Sequence, residues 1–306
     1  MNEGMHLNPG ASGTAGRCLL LTGARRTGTS LMANLLYSTR EVELSFEPPA
    51  LRALFPLLGA LPAEHWRYLF DAYLFEEFLV GALAGRKLNF NRNDDSSVYA
   101  ALDASEVDSR LAVGHRQADL APRAMAQFPA VKLPDMNCYL SSFRQVAPDH
   151  TAIVMLRNPN SLIQSLLRMG WFDDKRLSGV SADWPHRQVG DVPAPHWVED
   201  DFLDQWATGS PLERSSYYYC RMYESVLSED SLHFVSFDDF IINPEAHFAK
   251  LIDVLGLHAG LRTQALLDNI HDPDTKYATQ IDGLSKAWRD RSEAAYESCL
   301  DKALIG

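Results

Sequence analysis

Residues 17–38 read RCLLLTGARRTGTSLMANLLYS, and the fold class follows from how the pattern changes along this stretch. Cys18, Leu19, Leu20 and Leu21 form a continuous apolar run of strand length, as expected of a strand covered on both faces. GARRTG then sets two glycines around a basic turn. Beyond it, Leu31, Met32, Leu35 and Leu36 recur at helical spacing. Strand, glycine-bounded loop and helix in that order aim backbone N–H groups and a helix N-terminus at one point, which is an anion-binding arrangement.

The unit recurs. HTAIVML (150–156) is a β-branched run suited to a buried parallel strand, and RNPNSLIQSLLRM (157–169) opens a helix behind it, with Asn158 as cap and Pro159 in the first turn. SLHFVSF (231–237) reads as a further strand, and PEAHFAKLIDVLGL (244–257) as a helix closed by Gly256. Strands alternating with helices predict an α/β fold with a mostly parallel central sheet flanked by helices. Helical patterns also cover 64–84 and 120–128. The stretch 170–215 differs: it is rich in Gly, Pro, Asp and Ser and carries Trp171, Trp184, Trp197 and Trp206, which predicts a lid or insertion at an acceptor site. No change of composition marks a linker, so the expectation is one domain over 17–306 behind a flexible tail over 1–16.

The chain has 306 residues, 46% of them hydrophobic, enough for a sizeable core. Forty acidic against 28 basic residues leave a net charge of −12, which repels phosphate backbones and argues against nucleic acid as a partner. Cys18, Cys138, Cys220 and Cys299 are widely spaced and form neither a disulfide framework nor a zinc pattern. With no membrane-length apolar run either, the expectation is a soluble cytoplasmic protein that needs no metal and has no membrane partner.

The loop carries chemical content. GARRTGTS (23–30) has the G-x4-G frame of a P-loop, yet Thr29 stands where a Walker loop has lysine, and the cation has moved to Arg26. Phosphoryl transfer from a nucleoside triphosphate uses that lysine, so its absence counts against a kinase. Taken alone the segment also reads as an ordinary polar turn between strand and helix.

Two signatures narrow the choice. Arg26-Thr27-Gly28-Thr29-Ser30 follows the first strand and is followed by Leu31-Met32; Arg157-Asn158-Pro159 follows the second, with Ser165 eight positions after Arg157. In this the chain resembles the sulfotransferases that use 3′-phosphoadenosine 5′-phosphosulfate (PAPS). The resemblance extends through VKLP (131–134) and FVSFDDFIINPEAHFAKLIDVLGL (234–257), and so covers about residues 17–257. It implies a P-loop-containing sulfotransferase-like three-layer sandwich and PAPS as the cofactor.

By the same resemblance, Arg25, Arg26, Thr27, Gly28, Thr29 and Ser30 surround the 5′-phosphosulfate, Arg157 and Ser165 hold the 3′-phosphate, and Phe237 stacks on adenine, with Trp206 and Tyr217 to Tyr219 as looser candidates. The family's cytosolic branch places a histidine base where this chain has Lys132, and a lysine protonated at pH 7 donates rather than accepts. Tyrosylprotein sulfotransferases are similar in having a glutamate at the separation that Glu47 keeps from Arg26, and a lysine where Lys132 falls. The catalytic set implied is therefore Arg26, Glu47 and Lys132, with Glu47 as base. His115 and Asp135 stand behind it as other bases, while His65, His196 and His271 receive no role. The family's C-terminal Arg-Lys-Gly is missing, with only Lys276, Lys286 and Arg289 nearby.

The acceptor expected is a small-molecule hydroxyl compound, aromatic or apolar, lined by Trp66, Phe70, Tyr73 and Phe78 and by the 170–206 stretch. Two other readings remain at this point: a P-loop phosphotransferase acting on a small molecule, and a non-catalytic nucleotide-binding protein on the same fold.

Overall fold

A computed structural model of the chain describes residues 6–112, 117–179, 185–270 and 281–305. Its strands are β1 (Leu19–Gly23), β2 (Val42–Phe46), β3 (Phe128–Lys132), β4 (Thr151–Leu156), β5 (His186–Val189), β6 (Val192–Pro195), β7 (His233–Ser236) and β8 (Ala303–Ile305). Six form one sheet in the order β2-β3-β1-β4-β7-β8, and every neighbouring pair in it is parallel. β5 and β6 form a separate antiparallel hairpin.

Each strand feeds both faces of the sheet, because side chains alternate with a period of two. Leu20, Val131, Ala152 and Val154 enter one apolar layer, together with Trp66, Leu162 and Tyr217 to Tyr219. Leu19, Leu21, Ala130, Ile153, Met155 and Val235 enter the other, with Met32, Leu35, Phe248 and Leu251. Helices therefore cover both faces, and the three layers expected from the sequence are present.

The start and stop signals act as read. Asn158 Oδ1 accepts from the backbone of Asn160 at 3.0 Å and Ser161 at 3.4 Å, capping the helix Pro159–Arg168. Gly256, at φ 67°, closes the helix Pro244–Leu255 in the left-handed conformation. The order of strands places a switch point at the C-terminal ends of β1 and β4. From β1 the chain crosses towards β2, and from β4 it crosses the opposite way towards β7, opening a crevice between the two neighbours.

Two expectations need correction. Residues 9–15 of the expected tail form the helix Pro9–Ala15, capped by Asn8, with Ala11 and Ala15 fully buried. Its small side chains allow close packing against Leu79, Leu120 and Ala124 without any apolar periodicity that the sequence could display. Two of the tryptophans of 170–215, Trp197 and Trp206, are core anchors rather than a lining, while Trp171 is half-buried beside Arg25 and Arg176. Trp197 and Trp206 are buried at 2% and 0% exposure, with ring centroids 5.3 Å apart, and Phe172 packs edge-on against both. Arg214, itself buried, donates to the carbonyls of Trp206 and Phe172 at 2.8 and 3.1 Å, closing off the backbone of the segment. Trp184 lies outside the described residues.

Candidate active site

At the end of β1 the chain must turn hard against β4. Gly23 is paired with Met155, and a Cβ on Gly23 would stand 2.6 Å from the Met155 carbonyl oxygen. Thr27 donates its hydroxyl to the Ala24 carbonyl at 2.6 Å, so this side chain closes the turn from inside. Gly28, at φ 82°, precedes the helix Thr29–Tyr37; a Cβ there would lie 2.2 Å from the ring of Phe237. Glycine is what lets loop and ring approach.

The guanidinium of Arg26 is exposed beside the crevice, its Nε 3.4 Å from the Ser165 hydroxyl. Arg157, from the end of β4, donates through Nη1 to the Arg26 carbonyl at 2.7 Å, and its guanidinium lies 5.0 Å from the Phe237 ring centroid. Tyr219 donates to the Arg157 carbonyl at 3.0 Å, and Tyr223 to that of Met155 at 2.9 Å. Asp238 accepts from the Asn158 amide at 2.6 Å, and burial pushes its carboxyl above the ordinary range. Arg26, Ser165, Arg157 and Phe237 thus form one cluster around the crevice. Tyr217, Tyr218, Tyr219 and Trp206 are fully buried in the core and offer no face to a base.

A second cluster sits across β1, at the ends of β2 and β3. The Glu47 amide donates to the Lys132 carbonyl at 2.9 Å, extending the ladder by one bond. Its carboxylate receives the Lys132 ammonium on Oε1 and Arg52 Nη2 at 2.8 Å on Oε2. Lys132 is almost wholly buried, its ammonium 4.2 Å from the Phe46 ring centroid. Burial lowers its pKa below that of an ordinary lysine and nearby Arg25 adds to this, while Glu47 pulls the other way.

Arg25 and Asp135 are joined to each other. Asp135 is fully buried and accepts from Arg25 Nε at 2.6 Å and from the Tyr218 hydroxyl, while Tyr218 in turn accepts from the Arg25 amide at 2.6 Å. The Arg25 guanidinium also lies 4.6 Å from the Trp171 ring. Arg25, expected at the cofactor, is engaged in bracing the loop against the end of β3, and Asp135 is closed to an acceptor. His196 hydrogen-bonds to Tyr139, and burial holds its pKa at about 4. His115, His271 and Lys276 lie outside the described residues, and Lys286 pairs with Asp290 on an exposed helix face. Among the described residues no cluster of His, Cys, Asp and Glu could hold a metal ion, and no helix is long and apolar enough to cross a membrane.

Sequence reasoning missed the segment over 89–96. An open cavity of about 540 Å³ joins Ser30, Phe46 and Glu47 to Asn93, Asp94, Asp95 and Ser96. Next to it a cavity of about 330 Å³ is lined by Ser45, Phe46, Tyr73, Phe78, Lys87 and Ser96, among others. Of the aromatics expected to line an acceptor site, Tyr73 and Phe78 line this cavity, whereas Trp66 and Phe70 are core residues stacked on each other at 5.0 Å. The signal for the missed segment was NFNRNDDSS (89–97), whose Asn and Asp side chains make local turns, with Asn89 accepting from the Asn91 amide at 3.0 Å and Asp94 from the Ser96 amide at 2.8 Å.

Solved structures similar to this chain include the sulfotransferase domain from the Synechococcus PCC 7002 olefin synthase, at 15% identity over 92% of this chain and 93% of that one, with a TM-score of 0.45. Sulfotransferase STF9 from Mycobacterium avium is similar at 14% identity over 95% and 77%, TM-score 0.44, and a sulfotransferase from Alicyclobacillus acidocaldarius at 13% over 93% and 92%, TM-score 0.39. No curated protein sequence matches the chain. A sequence model of the sulfotransferase family does match, over residues 19–259. That span runs from β1 past the helix Pro244–Leu255 and takes in both clusters at the sheet edge, and so this chain belongs to the sulfotransferase family.

Proposed function

We propose that the protein transfers a sulfuryl group from PAPS to a hydroxyl of a small-molecule acceptor, with Glu47 as the base. The observation that carries this reading is the convergence of two clusters on one sheet edge: Arg26, Ser165, Arg157 and Phe237 at the β1–β4 crevice, and Glu47 with Lys132 at the adjoining ends of β2 and β3. The donor set fits an anionic nucleotide, since guanidinium groups, a hydroxyl and loop amides all donate, and a half-buried ring beside Arg157 offers a face to a purine. Arg157 and Ser165 would hold the 3′-phosphate; Arg26, the loop amides and the Thr29 and Ser30 hydroxyls would hold the phosphosulfate.

When bound, the donor supplies a sulfuryl group whose bond to the phosphate oxygen breaks as the acceptor oxygen attacks, the electron pair leaving with the phosphate. The chain's own part is electrostatic and protolytic. Glu47 takes the acceptor hydroxyl proton. Its two cationic partners hold the carboxylate aimed, and a shift of the Lys132 ammonium towards the transferred group would free Oε1 to receive the proton as charge develops. Arg26 serves as a fixed positive charge at the phosphate.

Calorimetry with adenosine 3′,5′-bisphosphate and 5′-AMP tests the nucleotide assignment. The bisphosphate should bind at least about tenfold more tightly, and at about 100 times its Kd should add about 2.7 kcal/mol of stability. Arg157→Ala should abolish the preference. Equal affinities in the native protein would end the assignment of a 3′-phosphate site.

A further inference from the structure

We propose that the acceptor is a neutral alcohol carried on an extended apolar tail, and that the tail lies in the groove between the helices Pro49–Leu54 and Ala63–Ala72. The inference rests on the reading of Glu47 as the base beside a sulfuryl donor.

Three hollows adjoin one another outward from Glu47. The open cavity at Glu47 shares Phe46 and Ser96 with the 330 Å³ cavity, and the latter shares Ala50 and Tyr73 with a groove of about 280 Å³ on the surface. Apart from Tyr73, only alanine and leucine line that groove, and Leu57 and Leu69 stand 42% and 47% exposed within it. A groove with no charge and almost no hydrogen-bonding side chain discriminates by burial alone, which favours a hydrocarbon chain over a sugar or a charged headgroup.

The junction is built for such a ligand. The Tyr73 hydroxyl bonds to Ser45 at 2.8 Å, so its polar end is tied to β2 while the residue lines both hollows. Tyr73 also opens the π-helix Tyr73–Leu79, a widened turn that brings Glu77 and Phe78 to the middle cavity along with it. The charges in that cavity cancel, since Lys87 pairs with Glu77 at 2.5 Å, and Asp94 and Asp95 in the open cavity beside Glu47 repel an anionic acceptor.

Alkylation of an engineered thiol tests the groove without any sulfate donor. Leu69→Cys places a reactive group on an exposed position; of the native thiols, Cys18, Cys220 and Cys299 are buried, and burial pushes that of the half-buried Cys138 up to about 12. Maleimide labelling of Leu69→Cys, and separately of Leu57→Cys, should slow at least about fivefold with 1-decanol and not with ethanol. Equal rates under both conditions overturn the proposal. In a transfer assay with PAPS and straight-chain alcohols, kcat/KM should rise about twofold to fourfold per added methylene until the groove is filled, and Leu69→Glu should flatten the series. A flat series in the native protein with no protection of either thiol means that the groove receives something other than the acceptor. Protection without transfer upholds the tail site and overturns the donor-and-base reading instead.

Discussion

Arg26, Glu47 and Asp135 are the non-glycine residues with positive φ among those described, at 71°, 47° and 69°, and each falls within three positions of the end of β1, β2 or β3. A left-handed residue with a Cβ costs about 1–2 kcal/mol, and such strain gathers where geometry is held for function. Here it tips the Arg26 side chain out beside the crevice, carries the Glu47 carboxylate to Lys132 and Arg52, and seats Asp135 under Arg25. Function at this scale should separate from binding. Glu47→Gln keeps the shape of the side chain and loses the proton acceptor, so kcat should fall at least about 10²-fold while bisphosphate affinity stays within about threefold. Arg26→Ala should lower kcat by about 10²- to 10³-fold, as for the loss of one transition-state donor. Steady-state kinetics beside calorimetry on the same preparations reads both, and a fully active Glu47→Gln would remove it as base.

At the scale of elements, the site is a meeting of strand ends rather than a property of one motif. β1 and β4 are sequence-distant, yet the pairing of Gly23 with Met155 fixes how the loop lies against Arg157 and Phe237. Gly28 is the tightest point of that meeting. Gly28→Ala adds a left-handed Cβ and drives it into the Phe237 ring, so stability should drop by about 1–2 kcal/mol and nucleotide affinity by more than about tenfold. Adding Phe237→Ala relieves the clash but not the loss of the ring. Chemical denaturation should therefore show partial recovery of stability in the double variant, and calorimetry no recovery of affinity.

For the whole molecule, the core itself carries a pH dependence. His150 is 1% exposed between the rings of Phe70 and Phe143, at 5.4 and 5.3 Å, and burial lowers its pKa from 6.5 to about 3. Below pH 6.5 the unfolded chain takes up a proton that the folded chain refuses, so its neutral burial favours the fold fully above pH 6.5 and less as pH falls towards 3. The slope from this group is about 1.4 kcal/mol per pH unit. Urea unfolding from pH 7 to 4.5 should show it, and His150→Phe should flatten the curve; an unchanged slope would assign the dependence elsewhere.

The sequence by itself determined the α/β class, the strand-loop-helix units and their caps at Asn158 and Gly256, each of which is written in local period or in spacing within a segment. That Arg26, Arg157 and Ser165 belong together was implied by the family resemblance, and the fold brings them into one cluster. Tertiary structure decided the rest. Arg25 looks equivalent to Arg26 in the sequence, but Asp135, from a loop over a hundred residues away, takes its guanidinium. Trp197 and Trp206 read as a lid because their segment is polar, and they went to the core because Phe172 packs edge-on against both rings and Tyr218, from a later helix, packs against Trp197 and Phe172. The hollows beyond Glu47 bring together β2, the π-turn and residues 87–98, whose neighbourhood exists only once the sheet has formed. Local pattern reports what a segment can become; which side chains face one another is settled by long-range packing, which no short window of sequence records.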